Sequence, residues 1–376
     1  MLAPVSRPAN ILVCGKIREQ GEFQREIDRY LQWRAAGLVE RIVFSSWVED
    51  FHAHRAVFDA LERNGVEIVI SEQPRLKIVG HAFHQLKSID AGLTLFGADD
   101  LILRTRTDKV FTGFDLAFTL NRFASAPPPG EGSPFSKRLT IQVSVPFQPY
   151  FFNDMVFLGL KRDIAKLASF DLWFDLRGTI MNPEQIIHFG PFSRMRPVVR
   201  DFFGVNPGLI YSDPALSREV YAFALGREFY CAALYTSLKD TLDSYLVGFD
   251  RACADPLYYW PQSVAMTDLL DPETATSLSG VDYHDLAATI HTRSESVIKK
   301  LLQTPIREQG GATLLEIGPA FLARAQAGES GWLSDAALDF ARDLYERFPN
   351  LPHRRRLPQK DGLKTFYHAG HPMIAS

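Results

Sequence analysis

Asp100–Phe111 reads DLILRTRTDKVF, an apolar run that leads into alternating arginine and threonine and ends on an aspartate and a lysine. Leu101-Ile102-Leu103 is the pattern of a buried parallel strand, which is expected to stop where its charges start. Ligands of open α/β sheets bind just beyond the carboxyl ends of strands. A guanidinium fork matches phosphate geometry, and Asp is a hard oxygen ligand. Arg104, Arg106 and Asp108 together therefore suit an anionic ligand that arrives with a divalent metal. A surface salt-bridge cluster explains the same residues. If the strand persists, alternation sets Arg104, Arg106 and Asp108 on one face, with Thr105 and Thr107 on the other. That makes Arg106–Asp108 a coupled unit, either at a ligand or as a structural pair. Lys109 and Lys16 add positive charge nearby in the sequence pattern.

To position these residues the chain must build a sheet. Strands are expected at Ile11–Cys14, Ile42–Ser46, Val66–Ile70 and Leu101–Arg104. Between them lie helical patterns over Phe23–Ala36, Arg55–Arg63 and His81–Phe96. Alternating strands and helices predict a parallel sheet with right-handed crossovers. A helix over Phe114–Phe123 runs into Ala124–Pro134, ASAPPPGEGSP, which reads as a mobile loop. That loop is either an active-site flap or a plain connector. Strands at Leu139–Val145 and Met155–Leu160 and a helix over Arg162–Phe170 follow. Beyond Phe202 the pattern turns helical, over Ser217–Leu246 and again over Gly280–Gln303. The tail carries His353-Arg354-Arg355-Arg356, the composition of a solvated basic end.

At 376 residues the chain is long enough for about two domains, or one large domain with an appendage. Its net charge of −3 argues against a general nucleic-acid binder. Three cysteines make neither a disulfide framework nor a zinc site, and Cys14, inside an apolar strand, reads as a small core residue. The pairs His52/His54 and His81/His84 have no evident third ligand. The opening residues lack a signal-peptide h-region, and no stretch reaches the roughly 18 apolar residues of a spanning helix. A cytoplasmic chain is the expectation.

Five segments in order resemble the WavE lipopolysaccharide-synthesis family: IVFSSW (Ile42–Trp47), HQLKSIDAGL (His84–Leu93), DLILRTRTD (Asp100–Asp108), FNDMVFLGLKRDI (Phe152–Ile164) and NPEQ (Asn182–Gln185). The resemblance spans roughly Asn10 to Gly190. That family looks like glycosyltransferases of the GT-A fold. The resemblance implies a Rossmann-type, mostly parallel sheet flanked by helices in residues 8–203, and a helix-rich region over 204–376. It implies transfer of a sugar from a nucleotide-sugar donor to a surface polysaccharide or lipopolysaccharide. The acceptor would be a glycan or a lipid-linked glycan, the latter placing the protein at the inner face of the membrane. Carried onto this chain, Arg104, Arg106 and Asp108 occupy the strand-end motif. GT-A enzymes usually place Asp-x-Asp there to hold Mn²⁺ or Mg²⁺ on the diphosphate. Arg106 stands at the first acidic position, so Asp108 alone is the metal candidate.

Further candidates for nucleotide-sugar binding are Gly15, whose missing side chain permits close approach, Lys16, Ser46, Trp47, Gln85 and Lys87. A general base for an acceptor hydroxyl would be a carboxylate. Glu184, after Pro183 at a helix start, and Asp154, at the start of an apolar strand, are the candidates. Each has a structural alternative, a helix N-terminal charge or a turn cap. A nucleotidyl- or phosphosugar-transferase and a non-catalytic nucleotide-sugar-binding protein are the other readings.

Overall fold

The computed structural model describes residues 7–75, 82–111, 114–141, 149–152, 154–169, 183–205, 214–247, 294–327 and 332–349. The chain packs as two compact units. One comprises Met1–Ser144, Phe152–Phe170 and Asp243–Ala254; the other comprises Val145–Phe151, Asp171–Leu242 and Asp255–Ser376. Packing thus follows discontinuous segments rather than a single cut at Phe203.

The first unit is an α/β sheet. Its elements begin β1 (Ala9–Cys14), α1 (Gln20–Ala35), β2 (Val39–Trp47), α2 (Val48–Ala53), α3 (Arg55–Arg63) and β3 (Glu67–Ser71). They continue α4 (Ala82–Leu93), β4 (Leu101–Arg106), α5 (Leu116–Ala124), β5 (Leu139–Ile141), β6 (Phe157–Leu160) and α6 (Lys161–Ala168); β7 (Tyr245–Val247) returns late in the chain. The strand order is β3-β2-β1-β4-β6-β5-β7. β1 pairs in parallel with both β2 and β4, and β2 in parallel with β3. β6 runs antiparallel to β4 and β5, while β7 is parallel to β5. The result is a mixed, mostly parallel open sheet, consistent with a Rossmann-like fold.

Alternation divides the central strands between two cores. Ile11 and Val13 of β1, Ile42 and Phe44 of β2, and Leu101 and Leu103 of β4 pack with Phe23 and Ile27 of α1, Phe58 of α3 and Leu120 of α5. The opposite face carries α4. A Cβ on Gly92 would lie 2.4 Å from Leu12 Cδ1 and 3.1 Å from Ser45 Cβ, so α4 sits directly on β1 and β2.

Several boundaries differ from the pattern-based expectations for physical reasons. β4 does not stop at the first charge but runs to Arg106, because β1 keeps pairing with it up to Cys14↔Arg106. β6 begins at Phe157, two residues later than expected. β5 ends at Ile141, and its expected remainder lies outside the described residues. The short helix α2 and the strand β7 were not anticipated; β7 takes the end of what reads as one long helix and adds it to the sheet edge. The Pro- and Gly-rich segment expected to be mobile is a loop, but a tethered one. Gly130 N–H donates to the Asp243 carbonyl at 2.8 Å, and the buried Asp163 accepts from Ser136 N–H at 2.8 Å and from Lys137 N–H at 3.1 Å.

In the second unit the described elements are α7 (Pro183–Ser193), α8 (Pro197–Val205), α9 (Pro214–Leu225), most of α10 (Glu228–Ser244), α11 (Ser294–Gln303), a 3₁₀ turn (Arg307–Gln309), α12 (Leu314–Ala327) and α13 (Trp332–Arg347). Phe202, Phe229, Tyr230 and Phe340 form an aromatic centre, with Tyr230 and Phe340 stacked at 6.0 Å. Helix richness here agrees with the expectation. The segments Ala254–Trp260 and 280–293 and the basic tail lie outside the described residues. Among the described residues no helix is long and apolar enough to cross a membrane.

Gly92→Ala should destabilise the first unit by about 1–3 kcal/mol, the usual cost of overpacking. Urea unfolding monitored on this unit checks it; an unchanged midpoint would mean that Leu12 repacks freely.

Candidate functional site

The sheet reverses its order of connection between β1 and β4, and ligands bind at such switch points. A cavity of about 200 Å³ opens there, beyond the carboxyl ends of the two strands. β1 contributes Cys14 and the following Gly15 and Lys16. β4 contributes Arg104 and Arg106, then Thr107 and Asp108; α4 adds His84, Gln85 and Ser88.

The two arginines have different jobs. Arg104 has no solvent exposure. Its guanidinium lies 5.1 Å from the Phe157 ring centroid, donates through Nη1 to the Asp154 carbonyl, and donates through Nη2 to Gln85 Oε1 at 3.2 Å. Burial pulls its pKa below the ordinary value, against the pull of Cys14 and Asp154. Gln85 passes the link on, its Nε2 donating to Asp154 Oδ2 at 2.6 Å. Arg106 joins two carboxylates. It grips Asp108 with two parallel bonds, Nε to Oδ1 at 2.8 Å and Nη2 to Oδ2 at 2.7 Å, and its Nη1 reaches Asp154 Oδ2 at 3.0 Å. Such bidentate pairs are the strong, oriented class of ion pair. Burial tends to raise the Asp108 carboxyl, but Arg106 and then Arg18 outweigh it and hold Asp108 below the ordinary aspartate value.

The opposite wall is the turn after β1. Gly15 has φ +115°, a left-handed conformation that suits glycine, and a Cβ there would meet Thr107 Oγ1 at 3.4 Å. The Thr107 hydroxyl donates to the Lys16 carbonyl at 2.7 Å, tying the two strand exits together. Lys16 is exposed at the cavity, and Arg18, 66% exposed, reaches Asp108 Oδ2 at 3.1 Å. Four cationic side chains, Lys16, Arg18, Arg104 and Arg106, thus line a cavity that one carboxylate, Asp108, also lines. The excess positive charge suits an anion.

Among the candidates, Gly15, Lys16, Trp47, Gln85, Arg104, Arg106 and Asp108 line this one cavity. Trp47 is only 4% exposed and meets His84 edge-on at 6.0 Å, so it is both core and wall. Ser46 is fully buried and serves the wall from behind; its hydroxyl lies 3.0 Å from the Gly15 carbonyl oxygen and 2.7 Å from Asp50 Oδ2. Lys87 points elsewhere, exposed, with its ammonium 5.8 Å from the Phe83 ring. Asp154 is 2% exposed, and both its oxygens accept from Arg106, so it orients the arginines. Glu184 belongs to the second unit, where it is half-buried in the first turn of α7. Sequence reading missed Arg18, Gln73 and Asp50. No sequence signal marked them, because the burial of Asp50 and the short helix α2 that carries it came only with the fold. Burial pushes the Cys14 thiol up, against nearby Arg104, which agrees with a packing role.

The residues at Asp108 do not fit a divalent ion in this arrangement. Both of its oxygens are held by Arg106, and the nearby carboxylate of Asp154 is engaged by the same guanidinium. Among the described residues no group of three or more His, Cys, Asp or Glu side chains is placed to hold a metal. Compared with protein-family models, with curated proteins and with solved structures, the chain has no match.

The lowered Asp108 pKa carries a sign. Its stabilising contribution is complete above the unfolded aspartate value, about 3.9, and is lost as pH falls through the lower folded value. Asp108→Asn should therefore flatten the acid limb of stability against pH below about pH 4. Urea midpoints measured from pH 2.5 to 6 check this; parallel acid limbs would show that the Arg106 pair contributes nothing.

Proposed function

We propose that the first unit is a GT-A-like nucleotide-sugar site and that the protein is a glycosyltransferase of surface-polysaccharide or lipopolysaccharide synthesis. One observation carries the reading: four cationic side chains gather around a cavity at the switch point of a mostly parallel sheet. The ordered WavE-like segments supply three of the elements that form it, the end of β2, α4 and the end of β4.

Glycosyl transfer expels a nucleoside phosphate whose negative charge grows in the transition state. Lys16 and Arg18, exposed at the cavity, are free to turn toward that charge, while Arg104 and Arg106 are pre-set by Gln85 and Asp154 and cost little reorganisation. Arg18 would exchange Asp108 for a phosphate oxygen. In this scheme the arginines and Lys16 take the part that Mn²⁺ or Mg²⁺ plays beside Asp-x-Asp, and no step runs through a metal. Asp154, bound by Arg106, is the proposed positioning residue. The acceptor is proposed to be a glycan or lipid-linked glycan, met at the cytoplasmic face of the inner membrane. A non-catalytic nucleotide-sugar-binding protein is the second reading, favoured by the engagement of Asp108, the carboxylate that lines the cavity, with arginine.

Thermal unfolding against UDP, GDP, CMP, dTDP and their sugar conjugates tests the proposal. A ligand at a hundred times its dissociation constant adds about 2.7 kcal/mol, a shift of about a few degrees for a chain of this size. A shift with one nucleotide and slow release of free nucleotide from its sugar conjugate are expected. A shift without hydrolysis favours the binding protein, and no shift with any nucleotide overturns the site. The shift is expected to be the same with and without Mn²⁺; a Mn²⁺-dependent increase that Asp108→Ala removes would restore the metal to Asp108.

A further inference from the structure

We infer that Asp50 is the positioning residue that sets the anion-binding turn after β1, a role that rests on the cationic cavity being the binding site. Asp50 lies in the first turn of α2 and has no solvent exposure. A buried carboxylate is costly unless its oxygens are hydrogen-bonded. Asp50 Oδ2 accepts from the backbone N–H of Ile17 at 3.1 Å and from the Ser46 hydroxyl at 2.7 Å. Ser46 Oγ also lies 3.0 Å from the carbonyl oxygen of Gly15. The carboxylate therefore holds the turn directly through the Ile17 N–H and takes the single proton of Ser46, the shorter of that hydroxyl's two acceptor contacts.

The two preceding residues of the turn are tied to β2 and to the exit of β4. Gly15 N–H donates to the Ser45 carbonyl at 3.1 Å, and the Lys16 carbonyl accepts from Thr107 at 2.7 Å. With three consecutive residues tied, the backbone of Lys16 is fixed while its side chain is left exposed at the cavity. Asp50 itself does not line the cavity. Its effect on a ligand must pass through the turn. Bonds from N–H and O–H groups to a carboxylate are the stronger, charge-assisted class, so replacing Asp50 by Asn should loosen the anchor.

The test uses the full chain, with inorganic pyrophosphate as the probe, and the variants Asp50→Asn, Lys16→Ala and the pair. Asp50→Asn keeps the size and should fold, with a urea midpoint near that of the parent. It should weaken pyrophosphate binding by about five- to tenfold, and Lys16→Ala by about tenfold, the range of one charge-assisted contact. The double variant should bind no more weakly than Lys16→Ala alone, because Asp50 acts through the turn that carries Lys16. A merely structural Asp50 would give additive losses, and that result overturns the inference. Amide exchange supplies a readout independent of binding: protection at Ile17 should fall in Asp50→Asn while β2 stays protected. If the parent chain binds no pyrophosphate, the anion-site reading falls with it. Exchange at Ile17 then decides the anchor alone, and unchanged protection there overturns it.

Discussion

A guanidinium with no access to water organises the candidate site. Arg104 sits within β4, and its charge must be answered by protein groups. The Asp154 carbonyl, the Gln85 amide oxygen and the face of Phe157 answer it. Those partners come from the approach to β6, from α4 and from β6 itself. Satisfying one charge therefore ties β4 both to α4 and to the segment that enters β6, about 50 residues further on. Asp154 then extends the arrangement to Arg106, Asp108 and finally Arg18 at the surface. Exposure rises along that path, from a sealed arginine to one mostly in solvent. A site that must hold part of its charge ready and move the rest onto a ligand needs such a gradient.

Around this lattice the fold supplies rigidity on the side away from the cavity. The residues just after Asp108 are clamped by an aromatic group. Phe111 lies 4.9 Å from Phe114 and 5.8 Å from Trp33 of α1, ring centre to ring centre. Lys109, only 7% exposed, lies within this packing rather than in the cavity. On the other side, the backbone turn at Gly15 is held by Ser45, Ser46 and Thr107. Both strand exits are thus fixed by short polar contacts in front and by rings behind. Surface-exposed ion pairs alone would not fix them, because such pairs contribute little in water.

The second unit is held by different physics. Its described elements are helices joined by an aromatic centre, with buried polar links among them. Tyr150 hydroxyl donates to Asp240, which also accepts from Arg196 Nη2 at 2.9 Å. Tyr150 takes φ +56°, an uncommon conformation for a residue with a side chain, and its backbone N–H is held by Ser237 Oγ at 2.8 Å. Burial raises the carboxyl of Asp201 in spite of its partner Arg200. Glu184, a base candidate from the sequence alone, stands at the start of a helix in this unit.

Sequence by itself determined most strands and helices of the first unit, though not α2 or β7, because each apolar run or stripe must find a core whatever its neighbours are. Ile11–Cys14 and Leu101–Leu103 are too apolar to be anything but buried strands, and Phe23, Ile27 and Tyr30 recur at helical spacing. It also placed Arg104, Arg106 and Asp108 together, since period-two alternation is a local property of the backbone. Tertiary structure decided what those charges do. Whether β4 continues past Leu103 depends on β1 beside it. Whether Arg106 is available depends on Asp154, 48 residues away. Arg18 and Asp50 became visible only when the turn after β1 was folded against β2 and β4. Lys87 and Gln85, two residues apart on one helix, were equal candidates until packing sent one to solvent and the other to the cavity. Propensity and patterning act over a few residues, whereas the direction of a polar side chain is set by whichever distant donor or acceptor the fold brings within about 3 Å.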